Sequence, residues 1–193
     1  LTKSFIGSLP IGWKSSLEDD ATNQKYGIIS TNSADITLNQ VAFPNIAHVG
    51  NVPQETTPNY AVALNNELND VQSIVSSKKE LSPNTTYTFM VYVQTQLYAG
   101  SANGAYINIE TTDSTPLVLA NIDNINTDGV WQCYVISLTT DLNTYEVVMR
   151  LGLGNQNDTS RTASGYAIFD SVKIDYPSFA GLNANIHEFD LSN

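Results

Sequence analysis

Three tyrosines, Tyr92, Tyr98 and Tyr106, together with Gln94, Asn108 and Arg150, are the side chains whose chemistry best suits recognition. A tyrosine ring offers a flat apolar platform on which the C–H face of a pyranose stacks, while amides and a guanidinium bond its hydroxyls. The alternative for each tyrosine is an ordinary strand residue with a wet hydroxyl. Tyr98 lies in the loop at residues 97–104, where an aromatic with no strand partner is more suggestive.

Catalytic chemistry is harder to assemble. Glycoside hydrolysis needs two opposed carboxylates, but 19 Asp and Glu residues make some such pair inevitable, so a pair identifies nothing. His48 and His187 stand alone in a long loop and in the tail, and no H-x-x-x-H spacing or cysteine pair accompanies them. No serine sits in a G-x-S-x-G context. The run from Asn121 to Asp128 is rich in oxygen ligands but lacks the central Gly and terminal Glu of a helical calcium loop, and it reads as a turn-rich connection. The expectation is a protein that is not an enzyme.

Composition narrows the partners. At 193 residues the chain suits one large β domain with a core of its own. Its polarity is mostly Asn, Thr and Ser, with only 8 Lys and Arg, which suits solvated loops and the outward faces of antiparallel sheets. A net charge of −11 argues against nucleic acid and against anionic membranes, and leaves neutral glycans or a divalent cation as compatible partners. No apolar run approaches the ~20 residues of a membrane span. Cys133 has no partner for an internal disulfide and lies in an apolar segment, where a buried structural thiol is expected. The first residue is Leu1, with neither an initiator Met nor a leader, so a piece of a longer protein is expected.

These side chains need elements to hold them, and the chain supplies short strands in series. Residues 87–95, 105–110, 131–138, 145–151 and 166–174 are rich in β-branched and aromatic residues and are bounded by turn formers. Residues 26–30, 35–39, 60–64 and 71–77 are further candidates, and residues 66–76 fit a short helix or a strand equally well. Residues 43–59 carry three prolines and Gly50 and read as a long loop. Eight or more strands without crossover helices predict an all-β, antiparallel two-sheet sandwich over residues 1–177, with 178–193 as an extension or linker. Alternation places Phe89, Val91, Val93, Ile107, Ile109, Tyr134, Ile136, Val147, Met149, Leu151, Phe169 and Val172 in the core. It sends Met90, Tyr92, Gln94, Tyr106, Asn108, Glu110 and Arg150 outward.

Several motifs fall in a familiar order. Gly12-Trp13 ends an entry turn, and Leu81-Ser-Pro-Asn-Thr-Thr-Tyr-Thr-Phe-Met-Val-Tyr-Val-Gln-Thr95 gives a turn and a strand. Then come Asp128-Gly-Val-Trp-Gln-Cys-Tyr134, Leu151-Gly-Leu-Gly154 and Gly165-Tyr-Ala-Ile-Phe-Asp-Ser-Val-Lys-Ile174. Over residues 9–176 this order resembles the jelly-roll carbohydrate-binding modules attached to xylanases, cellulases and other glycosidases, and also found in phage tail proteins.

The resemblance implies a jelly roll that binds a polysaccharide or glycoconjugate without catalysis, as one module of a larger extracellular, cell-surface or virion protein. The alternative is a structural, adhesin or phage-tail interaction domain without sugar binding. Relatives bind glycans on outward residues of the sheet matching the Tyr87 and Tyr145 strands, which maps onto Tyr92, Gln94 and Arg150, and they use tryptophans placed like Trp13 and Trp131 for packing. Many hold one structural calcium ion through a carboxylate at the position of Asp170. The acidic partner of that site is missing from its usual place, and Glu18, Asp19 or Asp20 would have to substitute; Asp170 as a cap of the neighbouring turn is the competing reading.

Overall fold

The structure, a computed structural model, describes residues 9–16, 24–31, 46, 49–53, 60–155, 158, 160–176 and 185–189. The strand expected at 35–39 lies outside them, as do His48, Glu18, Asp19 and Asp20. Twelve strands are formed among the described residues: β1 Trp13–Ser15, β2 Gln24–Ser30, β3 Tyr60–Asp70, β4 Gln72–Ser76, β5 Lys79–Leu81, β6 Thr86–Leu97, β7 Ala105–Thr111, β8 Val118–Ile125, β9 Gln132–Thr139, β10 Tyr145–Leu153, β11 Ala163–Tyr176 and β12 Asn185–Phe189. They make two antiparallel sheets packed as a jelly-roll sandwich. Sheet A runs β1-β4-β10-β7-β8, with β5 also on β10. Sheet B runs β2-β3-β11-β6-β9, with β12 also on β11.

Period-2 alternation builds the core, because successive side chains leave a strand on opposite faces. Phe89, Val91 and Val93 of β6 meet Ile107 and Ile109 of β7, and Val147, Met149 and Leu151 of β10, in one buried cluster with Trp13, Ile136 and Phe169. Half-buried Tyr134 packs against it. On β11 the alternation slips by one residue. Ser171 adopts a left-handed conformation (φ 49°) and the β6 register shifts between Asp170 and Lys173. This bulge returns Val172 to the core side that Phe169 occupies.

Residues 66–76, which fit a helix or a strand, take the strand form at the corner where β3 passes into β4, with Asp70 Oδ1 accepting the Val71 N–H at 2.8 Å. Three local readings differ from the sequence expectation. The run from Asn121 falls largely within β8, an edge strand whose pairing with β7 shifts register twice; those irregularities explain its turn-like composition. Residues 185–189, expected in an extension, pair with β11 as β12. Cys133 is exposed, since Tyr134, Ile136 and Leu138 take the inward positions of β9 and leave Cys133 the outward parity.

Candidate ligand-binding face

The residues singled out for recognition fall on opposite sides of the sandwich. Tyr106 and Arg150 lie on the outer side of sheet A, on the paired strands β7 and β10. Tyr92 and Gln94 lie on the outer side of sheet B, on β6, with Tyr98 just beyond its end. A single groove carrying Tyr92, Gln94 and Arg150 is therefore corrected. Alternation tells which residues of a strand point outward; it does not tell which sheet the strand joins. Here β6 and β10 are in different sheets, with a core about 10 Å thick between them.

On the outer side of sheet A a polar network joins side chains of β4, β7 and β10 with Ser16, just beyond β1. Cross-strand register sets Arg150 opposite Asn108, Val148 opposite Glu110 and Gly152 opposite Tyr106, while Ser73 of β4 lies opposite Gly152. Arg150 Nε donates to Glu110 Oε2 at 2.9 Å, and Asn108 Nδ2 donates to Glu110 Oε1 at 2.9 Å. Arg150 Nη1 donates to Ser73 Oγ at 3.1 Å, and Ser73 Oγ donates to Ser16 Oγ at 2.9 Å. The Glu110 side chain is 1% exposed and that of Arg150 17%. Removing two charges from water costs several kcal/mol per ion, so the pair holds only because each Glu110 oxygen receives a donor. Asn108 is 2% exposed, and its Oδ1 is buried without a hydrogen-bond partner.

Tyr106 is also buried, at 1% exposure. A Cβ added to Gly152 would overlap Tyr106 Cε1, so the ring lies against the Gly152 backbone. Tyr106 is thus packed into the sheet, not presented to solvent as a stacking platform. Beside it, a small polar pocket at the end of β7, β8 and β10 is lined by Asn103, Asp123, Asn124, Asn155 and Arg161. Asp123 there receives Asn155 Nδ2 at 3.1 Å and Asn121 Nδ2 at 2.9 Å.

The outer side of sheet B is apolar and covered. Ile29, Ala61, Ala63, Tyr166 and Ile168 form a second buried cluster with Val49 of the long loop, and Ile46, Tyr98 and Trp131 pack around it. Gln94, 2% exposed, donates through Nε2 to Val49 O at 3.1 Å and to Gly129 O at 2.8 Å. Trp131 Nε1 donates to Val49 O and Gly50 O, both at 3.1 Å. Gln94 and Trp131 therefore fasten the loop onto the sheet. Tyr92 is buried at 9%, and half-buried Tyr98 stacks edge-on against Tyr166, with centroids 6.0 Å apart at 87°. Burial, and then the neighbouring Tyr98 hydroxyl, push the Tyr166 phenol far above its ordinary value.

Asp170 is 6% exposed, and its Oδ1 accepts the Ser171 N–H at 2.6 Å, as a turn cap would. No group of three or more His, Cys, Asp and Glu side chains able to hold a metal ion occurs among the described residues. The described residues thus offer one carboxylate at this position.

No protein-family model and no curated protein matches the chain. Solved structures do. The enzymatically active domain of tailspike protein 4 of bacteriophage CBA120 matches at 10% identity and TM-score 0.53, over 86% of this chain and 20% of that one. The K1 cleaved adhesin domain of Lys-gingipain from Porphyromonas gingivalis W83 matches at 15% identity and TM-score 0.50, over 88% of this chain and 94% of that one. The CBM22-1 xylan-binding domain of Xyn10C from Paenibacillus barcinonensis matches at 12% identity and TM-score 0.47, over 87% of each chain. Most of the matched structures are carbohydrate-binding modules, and a phage tailspike and an adhesin domain are also among the matches. At these identities the property the chain shares with them is the fold, an antiparallel β-sandwich.

Proposed function

We propose that this chain is a non-catalytic carbohydrate-binding module and that the outer side of sheet A is its binding face. One observation carries this reading: a part-exposed Arg150 guanidinium held on the outside of a sheet by the buried pair Glu110 and Asn108. Sugar hydroxyls donate and accept at once. Arg150, the more exposed member, supplies donors, and Glu110, its other oxygen held by Asn108, fixes the guanidinium in place. The sequence resemblance and the uncharged polar composition support the same reading.

The partner would be a neutral polysaccharide or glycoconjugate, met outside the cell or on a cell or virion surface by a larger protein that this module targets. No helix of the described residues is long and apolar enough to cross a membrane. An array of neutral plant, bacterial-wall and host glycans tests the proposal, with affinities of about micromolar to millimolar expected because few contacts offset the cost of ordering a sugar. Arg150→Ala should abolish retention, and an absence of binding across the panel at millimolar sugar would end the reading. A structural or adhesin role is then the one to pursue, supported by likeness over 94% of a cleaved adhesin domain. Turnover of any polysaccharide by the isolated chain would instead make it an enzyme.

A structural calcium ion at Asp170, implied by the resemblance, belongs to the same proposal. Asp170 would give one carboxylate, and the remaining ligands would have to come from backbone oxygens or from Glu18, Asp19 or Asp20. An unfolding midpoint that does not change between calcium and excess chelator, in wild type and Asp170→Ala alike, removes the ion from the account.

A further inference from the structure

The long uncharged edge of sheet B lies apart from the proposed glycan face. A β-sheet edge exposes unpaired backbone N–H and C=O groups, and proteins ordinarily block it with charge, proline, bulges or brevity. Most edges here carry such devices. β8 shifts register twice and holds Asp123. β1 and β5 are three residues long and contain Lys14, and Lys79 with Glu80, respectively. β2 carries Lys25, ion-paired to Glu67, and the sequence of β12 includes His187 and Glu188.

β9 has none of them. Its eight residues, Gln132-Cys-Tyr-Val-Ile-Ser-Leu-Thr139, contain no charge and no proline, and they pair with β6 in unbroken register. Val135 is 52% exposed and Cys133 is exposed beside it on the outward parity. In a chain of net charge −11, this strand lets two copies approach without setting carboxylates against each other.

We infer that β9 pairs antiparallel with β9 of a second copy, joining the two B sheets into one. Two-fold symmetry and alternation together fix the register. Opposite residues in an antiparallel pair share a face, so the axis must pass through a residue and not between two. Axes at Val135 and at Ile136 each pair seven of the eight residues, and the one at Val135 sets the exposed valines against each other: Val135 meets Val135 of the second copy, Cys133 meets its Ser137, and Tyr134 meets its Ile136. Outward residues then meet outward ones, and inward residues inward ones.

Sedimentation of the full chain in reductant tests the pairing. A reversible dimer is expected over about 10 μM to 1 mM, as suits a small edge-to-edge interface. Val135→Lys, at an exposed position that should leave the circular dichroism unchanged, should raise the dissociation constant at least tenfold by setting two ammonium groups opposite each other. Cys133→Ser should leave it unchanged. On oxidation, Ser137→Cys should link the copies by a disulfide from Cys133 of one to the introduced thiol of the other, because opposite Cα atoms about 4.5–5.5 Å apart fall within disulfide reach. A chain monomeric at 1 mM, a dimer indifferent to Val135→Lys, or a Ser137→Cys dimer that does not cross-link would each overturn the inference.

Discussion

The outer sides of the two sheets are both largely withdrawn from water, but by opposite means. On sheet A, Tyr106, Asn108 and Glu110 are at most 2% exposed, and Glu110 accepts hydrogen bonds from both Asn108 and Arg150. On sheet B, Ile29, Ala61, Ala63 and Ile168 are covered by Val49 and its neighbours, with Gln94 and Trp131 fastening the loop. The second arrangement is a small core added to the back of a sheet, and burial of apolar area stabilises it directly. The first is costly, because desolvated charges gain little over an apolar replacement of the same shape. Sheet B therefore commits its outer face to stability. Sheet A keeps donors and acceptors there that stability alone does not call for.

The largest expected effect follows from splitting the sheet A pair. Glu110→Ala leaves the Arg150 guanidinium without its carboxylate and should cost about 3 kcal/mol, measured by denaturant unfolding. The double change Glu110→Leu with Arg150→Met should regain most of that stability yet retain no glycan. If instead the double variant stays as destabilised as Glu110→Ala, the network is structural and the contrast between the faces fails.

On the other face the signs should separate. Gln94→Ala removes two hydrogen bonds to loop carbonyls, at Val49 and Gly129, and should cost about 1–2 kcal/mol. Glycan retention should be untouched, because the core lies between Gln94 and the network. Lost retention in a folded Gln94→Ala protein would move the binding face to sheet B.

How much of this is legible in the sequence depends on the range of the interaction. Alternation is local, so the core residues of β6, β7 and β10 can be assigned from period alone, and Glu110, Asn108 and Arg150 can be sent outward, whereas on β11 the bulge at Ser171 breaks the period between Phe169 and Val172. The same parity puts Cys133 outside, against its apolar neighbours. What alternation lacks is partnership. That β6 and β10 belong to different sheets is decided by long-range pairing, which alternation cannot use to test the groove of Gln94 and Arg150 that the family resemblance implies. The ion pair joins residues 40 apart through the β7–β10 register, and the cover on sheet B comes from a loop whose composition shows only that it is a loop. β8 escapes notice for a different reason. Its Asn and Asp residues are turn formers by propensity, and an irregular edge strand tolerates them.

The smallest effect at neutral pH, and the most specific to sheet B, concerns Tyr166. Its side chain is fully buried against Tyr98, and burial raises its phenol well above the usual value of about 10. The sign follows from linkage. Below pH 10 both folded and unfolded chains keep the proton, and stability is unaffected. Above it the unfolded chain releases the proton while the folded chain retains it, so stability falls as pH rises, by about 1.4 kcal/mol per unit for one group. Tyr134, also raised by partial burial, contributes in the same direction. Tyr166→Phe should cost about 1 kcal/mol or less at pH 7, from the lost hydroxyl contact. Between pH 10 and 12 it should make the decline of stability shallower by one proton's worth, with glycan retention at pH 7 unchanged. Equal slopes in wild type and Tyr166→Phe would mean that this hydroxyl meets water when folded, and that the loop over sheet B is no seal.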